Sequence, residues 1–141
     1  MSGHMFFAHR FFGFDDAIYS GARLIEGLSQ KTEPLDQFLD SLPKRVNTPE
    51  LRVDCDDSKK FQVVSQFVAR AKAKWGDQVN DIDGARIKFE NGWGLIRASN
   101  TQPVLVLRFE SLDRVGLVKI RSHFESLLKE ISPDIEVPAI D

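Results

Sequence analysis

The stretch Ala85-Arg86-Ile87-Lys88-Phe89-Glu90-Asn91-Gly92-Trp93-Gly94-Leu95-Ile96-Arg97-Ala98 decides the fold. Ala85, Ile87 and Phe89 alternate with Arg86 and Lys88, the period of a strand buried on one face. Asn91-Gly92 follows, a pair suited to the positive-φ centre of a type I′ turn, so residues 93–98 are expected to return antiparallel. Residues 99–102 make the next connection. Beyond it, Val104-Leu105-Val106-Leu107-Arg108-Phe109 is nearly all apolar, as in a central strand covered on both faces.

Upstream, Leu51, Val53 and Cys55 alternate with Arg52, Asp54 and Asp56, which predicts another strand. Phe61, Val64, Val68, Ala71 and Trp75 then recur at helical spacing up to Gly76, a residue suited to a left-handed helix stop. Asp57 and Ser58 stand where they could cap that helix. Downstream, Leu117, Ile120, Phe124, Leu127 and Ile131 mark a last helix, with Ser111 or Asp113 as candidate cap. The order predicts an α+β domain over residues 50–141: a mostly antiparallel four-stranded sheet with two helices on one face.

Residues 1–30 differ in character. Phe6, Phe7, Phe11, Phe12 and Phe14 precede a helix that begins near Asp15 and Asp16, with Ile18, Ala22, Ile25 and Leu28 as its expected inner face. Such a stripe is expected to fold back onto the rest of the chain, to pair with a second copy, or to stay partly disordered. Residues 31–49 carry Pro34, Pro43 and Pro49 among polar residues and read as a hinge-like connector around one amphipathic turn, Leu35, Phe38, Leu39 and Leu42.

The chain has 141 residues, 42% of them apolar, and a net charge of −2 from 19 basic and 21 acidic side chains. That is enough apolar surface for one core, and it leaves no broad basic field for nucleic acid or an anionic membrane. An anion site must therefore be local. No apolar run reaches the roughly 18 residues of a membrane span, which sets a cytoplasmic protein as the expectation. Cys55 is the single cysteine, so no intrachain disulfide can form. Asp54, Asp56 and Asp57 surround it and disfavour a thiolate, which makes it a small buried residue rather than a nucleophile.

The chemistry concentrates in Arg97-Ala98-Ser99-Asn100-Thr101-Gln102-Pro103. A guanidinium fork, two hydroxyls and a side-chain amide at one turn are the donors a phosphate monoester needs. Read alone, the same residues also suit an ordinary turn, since Asn, Thr and Pro are common there. Arg108, inside the last apolar run, either faces this turn or pairs with Glu110 or Glu90. Trp93 reads as core, while His9 and His123 read as solvated.

This whole block resembles the C-terminal domain of the α-D-phosphohexomutases. Met1-Ser2-Gly3-His4, followed by Phe14-Asp15-Asp16, is similar to the end of that family's sugar-binding loop and the helix after it. The resemblance implies a fragment, 1–30 being a remnant of the third domain and 50–141 the fourth, whose fold is similar to that of the TATA-binding protein. It further implies that Arg97, Ser99, Asn100 and Thr101 hold the phosphate of a hexose phosphate such as mannose or glucose 1- or 6-phosphate, and that Ser2 and His4 touch the sugar. Its chemistry passes through a phosphoserine and a 1,6-bisphosphate with Mg2+, on loops of Thr-Ala-Ser-His-Asn-Pro and Asp-Gly-Asp-x-Asp-Arg type. Neither loop occurs here, so the resemblance implies that the fragment is inactive alone, binds no metal, and works with upstream domains of the same polypeptide. A stand-alone anion-binding or protein-interaction module is the alternative.

Overall fold

The computed structural model describes residues 3–139 and divides into two compact units, Met1–Pro43 and Lys44–Asp141. In the first, α1 (Ala17–Ser29) starts at Asp16, whose carboxylate accepts the Tyr19 N–H at 2.8 Å, and α2 spans Leu35–Ser41. Phe11 stacks on Tyr19 with ring centroids 3.9 Å apart, and Phe7 meets the same ring edge-on. Arg10 takes a left-handed backbone conformation (φ 64°) and donates to Glu26 at 2.8 Å. The expected inner face of α1 is not the packed one: Ile18 is 87% and Ile25 68% exposed. The aromatic loop instead covers the stripe through Tyr19, Ser20, Arg23 and Glu26, because Tyr19 is where the phenylalanines find a ring to stack on.

The second unit runs β1 (Val46–Asn47), β2 (Leu51–Asp54), α3 (Lys60–Trp75), a 3-10 turn (Gly76–Gln78), β3 (Val79–Asn80), β4 (Ala85–Phe89), β5 (Gly92–Ala98), β6 (Val104–Ser111) and α4 (Arg114–Ile131). Its sheet is antiparallel throughout, in the order β1-β6-β5-β4-β3, with β2 also on β6. The four expected strands are its body, and β1 and β3 are two-residue additions at its edges. Helices α3 and α4 pack on one face, so the α+β layer stands as read from the sequence.

Four expectations change in detail. Val46 and Asn47, placed in the connector, pair with Ser111 and Glu110. Thr48 continues the ladder: its N–H donates to Phe109 O at 2.9 Å, and its Oγ1 accepts the Phe109 N–H at 3.1 Å. Pro49 has no N–H, which splits one edge strand into β1 and β2. In α3 the buried residues are Lys60, Val63, Val64, Phe67 and Ala71, while Phe61 is exposed; the helix is rotated from the expected phase to seat Phe67 against Phe124, centroids 5.1 Å apart. Asp57 and Ser58 do not cap it. Asp56 instead accepts the Ser58 N–H and hydroxyl, and Lys59 and Lys60 donate their N–H groups to its carbonyl.

The fourth change is the hairpin. Phe89 pairs with Gly92, so Glu90 and Asn91 form the turn, and neither Asn91 nor Gly92 has a positive φ. Gly92 is required by close approach: a Cβ there would overlap Glu110 O and stand 2.8 Å from Ser111 Cα. Asp113, one of the two expected caps, accepts the Gly116 N–H at 2.6 Å to start α4.

Candidate functional site

The helix-facing side of the sheet is apolar: Leu51 and Val53, Ala85 and Ile87, Ile96 and Ala98, and Leu105, Leu107 and Phe109 are all buried. The register puts the intervening residues on the other side. Arg52, Val106 and Arg97 form one row across β2, β6 and β5; Arg86, Leu95 and Arg108 form the next across β4, β5 and β6. Val106 is only 5% exposed on the face turned away from α3 and α4, where the strand register sets Arg52 and Arg97 on either side of it with alkyl stems long enough to cover it. That is how an apolar run meant for two buried faces is satisfied here.

Arg97 and Arg108 are therefore diagonal neighbours on one face. Arg108 makes no ion pair with Glu110 or Glu90 among the described residues, and its Nε is buried without a hydrogen-bond partner there. Glu110 faces Arg45 at 3.6 Å and accepts the Trp93 indole N–H at 3.2 Å. Trp93 lies on this open side, half-buried under the Arg86 guanidinium at 4.7 Å, and not in the helix-covered core.

The loop of residues 99–103 joins β5 to β6 at the end of the row that holds Arg97. Ser99 N–H donates to Val104 O at 3.0 Å, and Val104 N–H to Gln102 O at 2.8 Å, which closes the turn. Ser99 Oγ accepts the N–H groups of Thr101 and Gln102 at 3.3 and 3.2 Å. Its two acceptor positions are thereby used, and its own O–H is left to donate. Those two amides are turned inward, so Asn100 and Thr101 offer the loop's outer surface through their exposed side chains.

Arg97 is half-buried, and the contact it makes is loose, Nη1 lying 3.6 Å from Asp83 Oδ2. Its backbone is pinned by Gly84 (φ 77°), where a Cβ would overlap Ile96 O and stand 2.8 Å from Arg97 Cα. The structure thus brings Arg97, Ser99, Asn100 and Thr101 to one turn. Three further residues support that turn: Arg52 donates to Gln102 Oε1 at 2.8 Å, Lys60 Nζ to Gln102 O at 2.9 Å, and Cys55 N–H to Pro103 O at 2.9 Å. Nothing local in the sequence marks them, since they lie 42 to 50 residues away from Gln102 or in another strand's exit. Burial pushes the Cys55 thiol up from its ordinary value, with Asp134 and Asp56 adding to the shift.

Of the two residues assigned to a sugar, Ser2 lies outside the described residues. His4 is exposed in the first unit, its Nδ1 paired with Asp15 Oδ2. Among the described residues no three His, Cys, Asp or Glu side chains group closely enough to hold a metal ion, and no helix is long and apolar enough to cross a membrane.

A family model described as "Phosphoglucomutase/phosphomannomutase, C-terminal domain" matches residues 50–125, from β2 into α4. The chain belongs to that family. The chain is 45% identical over 139 residues to a phosphomannomutase/phosphoglucomutase of Pseudomonas syringae pv. tomato, covering 98% of this chain and 30% of the relative. It is 43% identical over 130 residues to a phosphoglucomutase of Neisseria gonorrhoeae, covering 92% and 28%. Among solved structures, a phosphoglucomutase/phosphomannomutase family protein from Burkholderia thailandensis aligns with a TM-score of 0.79 at 41% identity, covering 99% of this chain and 29% of that one. The chain thus spans about three tenths of the length of these relatives, and the residues matched by the C-terminal-domain model lie within the second unit described above.

Proposed function

We propose that this chain supplies the phosphate-holding C-terminal domain of a phosphomannomutase/phosphoglucomutase, an isomerase that interconverts hexose 1- and 6-phosphates. Arg97 forms the charged fork, and Ser99, Asn100 and Thr101 complete the cradle for the phosphate that is not being transferred. The observation that carries this reading is the free donor set at one turn: a loosely held guanidinium beside a serine whose acceptor positions are filled and whose O–H is left over. Such donors attract an anion with no basic surface elsewhere.

Because the turn recognises a phosphate and not a particular hydroxyl pattern, it serves either end of a bisphosphate in turn. Holding the distal phosphate removes orientational freedom from the reacting end. The phosphoryl-carrying serine, the Mg2+ and most sugar contacts belong to other domains of the full enzyme, so the chain alone is assigned binding without turnover. His4, and Ser2 beside it, remain assigned to the sugar in the intact enzyme.

An amide NMR titration of this chain with mannose 1-phosphate and with inorganic phosphate, against mannose, tests the reading. Saturable shifts confined to residues 97–102 with both phosphates and absent with mannose are expected. Shifts with mannose alone, or none with either phosphate at millimolar concentration, would overturn it for this chain.

A further inference from the structure

Lys60 is the one charged residue among the described residues that is buried, at 3% exposure, although it opens a helix on the protein surface. A lysine that is only structural at such a place would run its stem along the surface and leave the ammonium in water. Here the ammonium is turned inward and has two polar partners, Gln102 O at 2.9 Å and the carboxylate of Asp57 at 2.5 Å, Asp57 itself being exposed, and it lies 5.1 Å from the centroid of the Phe61 ring. A buried charge persists where it is paired and hydrogen-bonded, so its position is dictated by those two groups.

Gln102 joins the two sides of this arrangement. Its carbonyl accepts from Lys60 and from the Val104 N–H, while its own N–H donates to Ser99 Oγ. One residue on, Pro103 O accepts the Cys55 N–H. The downstream end of the turn is thus tied by consecutive carbonyls to Lys60 at the start of α3 and to Cys55 just after β2. The tie at Gln102 leads directly to the serine whose O–H is left for a ligand.

We propose that Lys60 is a positioning residue for the phosphate turn: by fixing the Gln102 carbonyl it holds the Gln102 N–H on Ser99 Oγ and so presents the Ser99 O–H outward. This rests on the phosphate reading for its functional meaning, while the loop geometry is tested without a ligand. The experiment uses the 141-residue chain and compares wild type, Lys60→Met, Lys60→Arg and Val64→Ala. Two quantities are read: hydrogen exchange of the Thr101 and Gln102 amides relative to Ile96 in β5, and the affinity for inorganic phosphate from the shifts of residues 97–102.

Removing a charged hydrogen bond should speed exchange at Thr101 and Gln102, and weaken phosphate binding in Lys60→Met, by about tenfold or more, with Ile96 unchanged. Lys60→Arg keeps the charge and should recover part of both; it also serves if Lys60→Met fails to fold. Val64→Ala lowers overall stability from the same helix and should leave turn exchange and phosphate affinity as in wild type. Unchanged turn exchange in a folded Lys60 variant, or equal acceleration at Ile96, would overturn the proposal. A wild type that does not bind phosphate would defeat the phosphate reading alone, and the exchange comparison would still decide whether Lys60 orders the turn.

Discussion

Arg97, proposed above to hold the phosphate, is held only slightly by its own side-chain contacts. Its guanidinium is free but for a 3.6 Å approach to Asp83, whereas its backbone is fixed by strand pairing with Val106 and by Gly84 pressed against it. Arg97→Ala is therefore expected to lower stability only modestly, through loss of the stem that flanks Val106. It should weaken phosphate binding by roughly tenfold to a hundredfold, from the loss of about 1.5–3 kcal/mol of charge-assisted hydrogen bonding, read by the same titration. Gly84→Ala acts through the other half of the arrangement. Its Cβ would force a left-handed residue costing about 1–2 kcal/mol and push on the Arg97 backbone, so it should lower the urea midpoint and weaken phosphate binding together.

His123 carries a separate consequence at the same scale. It stacks on Phe89 with centroids 5.5 Å apart and meets Trp75 edge-on. Burial, and secondarily Lys74, lowers its pKa from the ordinary 6.5. The folded state thus prefers the neutral ring: the contribution is fully present above pH 6.5 and is lost as pH falls through the lower folded value. Urea midpoints measured from pH 7.5 down to 5 should decline, and His123→Phe, which keeps the stacking, should flatten part of that decline.

At the scale of elements, β6 organises the second unit, with β5 on one side and the interrupted β1 and β2 on the other. The interruption at Pro49 would orphan a buried amide were it not for Thr48, fully buried, whose hydroxyl oxygen accepts the Phe109 N–H. Thr48→Val preserves shape and removes that acceptor. Thermal and urea unfolding should show a loss of about 1–3 kcal/mol, the cost of leaving one buried donor unpaired. An unchanged transition would mean that the edge strand contributes little to the ladder.

At the scale of the molecule, every residue of the main core lies between Val46 and Val137, inside the second unit. Residues 44–141 alone are expected to unfold in one cooperative transition. Their midpoint should lie within roughly 5 °C of the whole chain's, the change that about 1 kcal/mol makes in a domain of this size, as calorimetry can check. The net charge of −2 gives no global field, so the arginines of the open sheet face act at short range and their effect is screened by salt.

Local pattern determined much of this by itself. Period-two alternation at residues 85–89 and 51–55 placed strands because one face of each is buried against helices, and helical spacing placed α3 and α4 because each buries a stripe. The donor-rich run from Arg97 to Thr101 stood out because no apolar contact would select those residue types between two strands. Tertiary structure alone decided the rest. Asn91-Gly92 carries a strong turn signal, yet the register to β6 shifted the turn by one residue and made Gly92 a point of close approach. Phe61, expected on the inner face, is exposed and Lys60 is buried in its stead, because the rotation of α3 is set by Phe67 against Phe124, a contact 57 residues apart in the chain. The same rotation brings Lys60 to Gln102, and hydrogen-bond partners so distant in sequence become neighbours only when the sheet and its helices have packed.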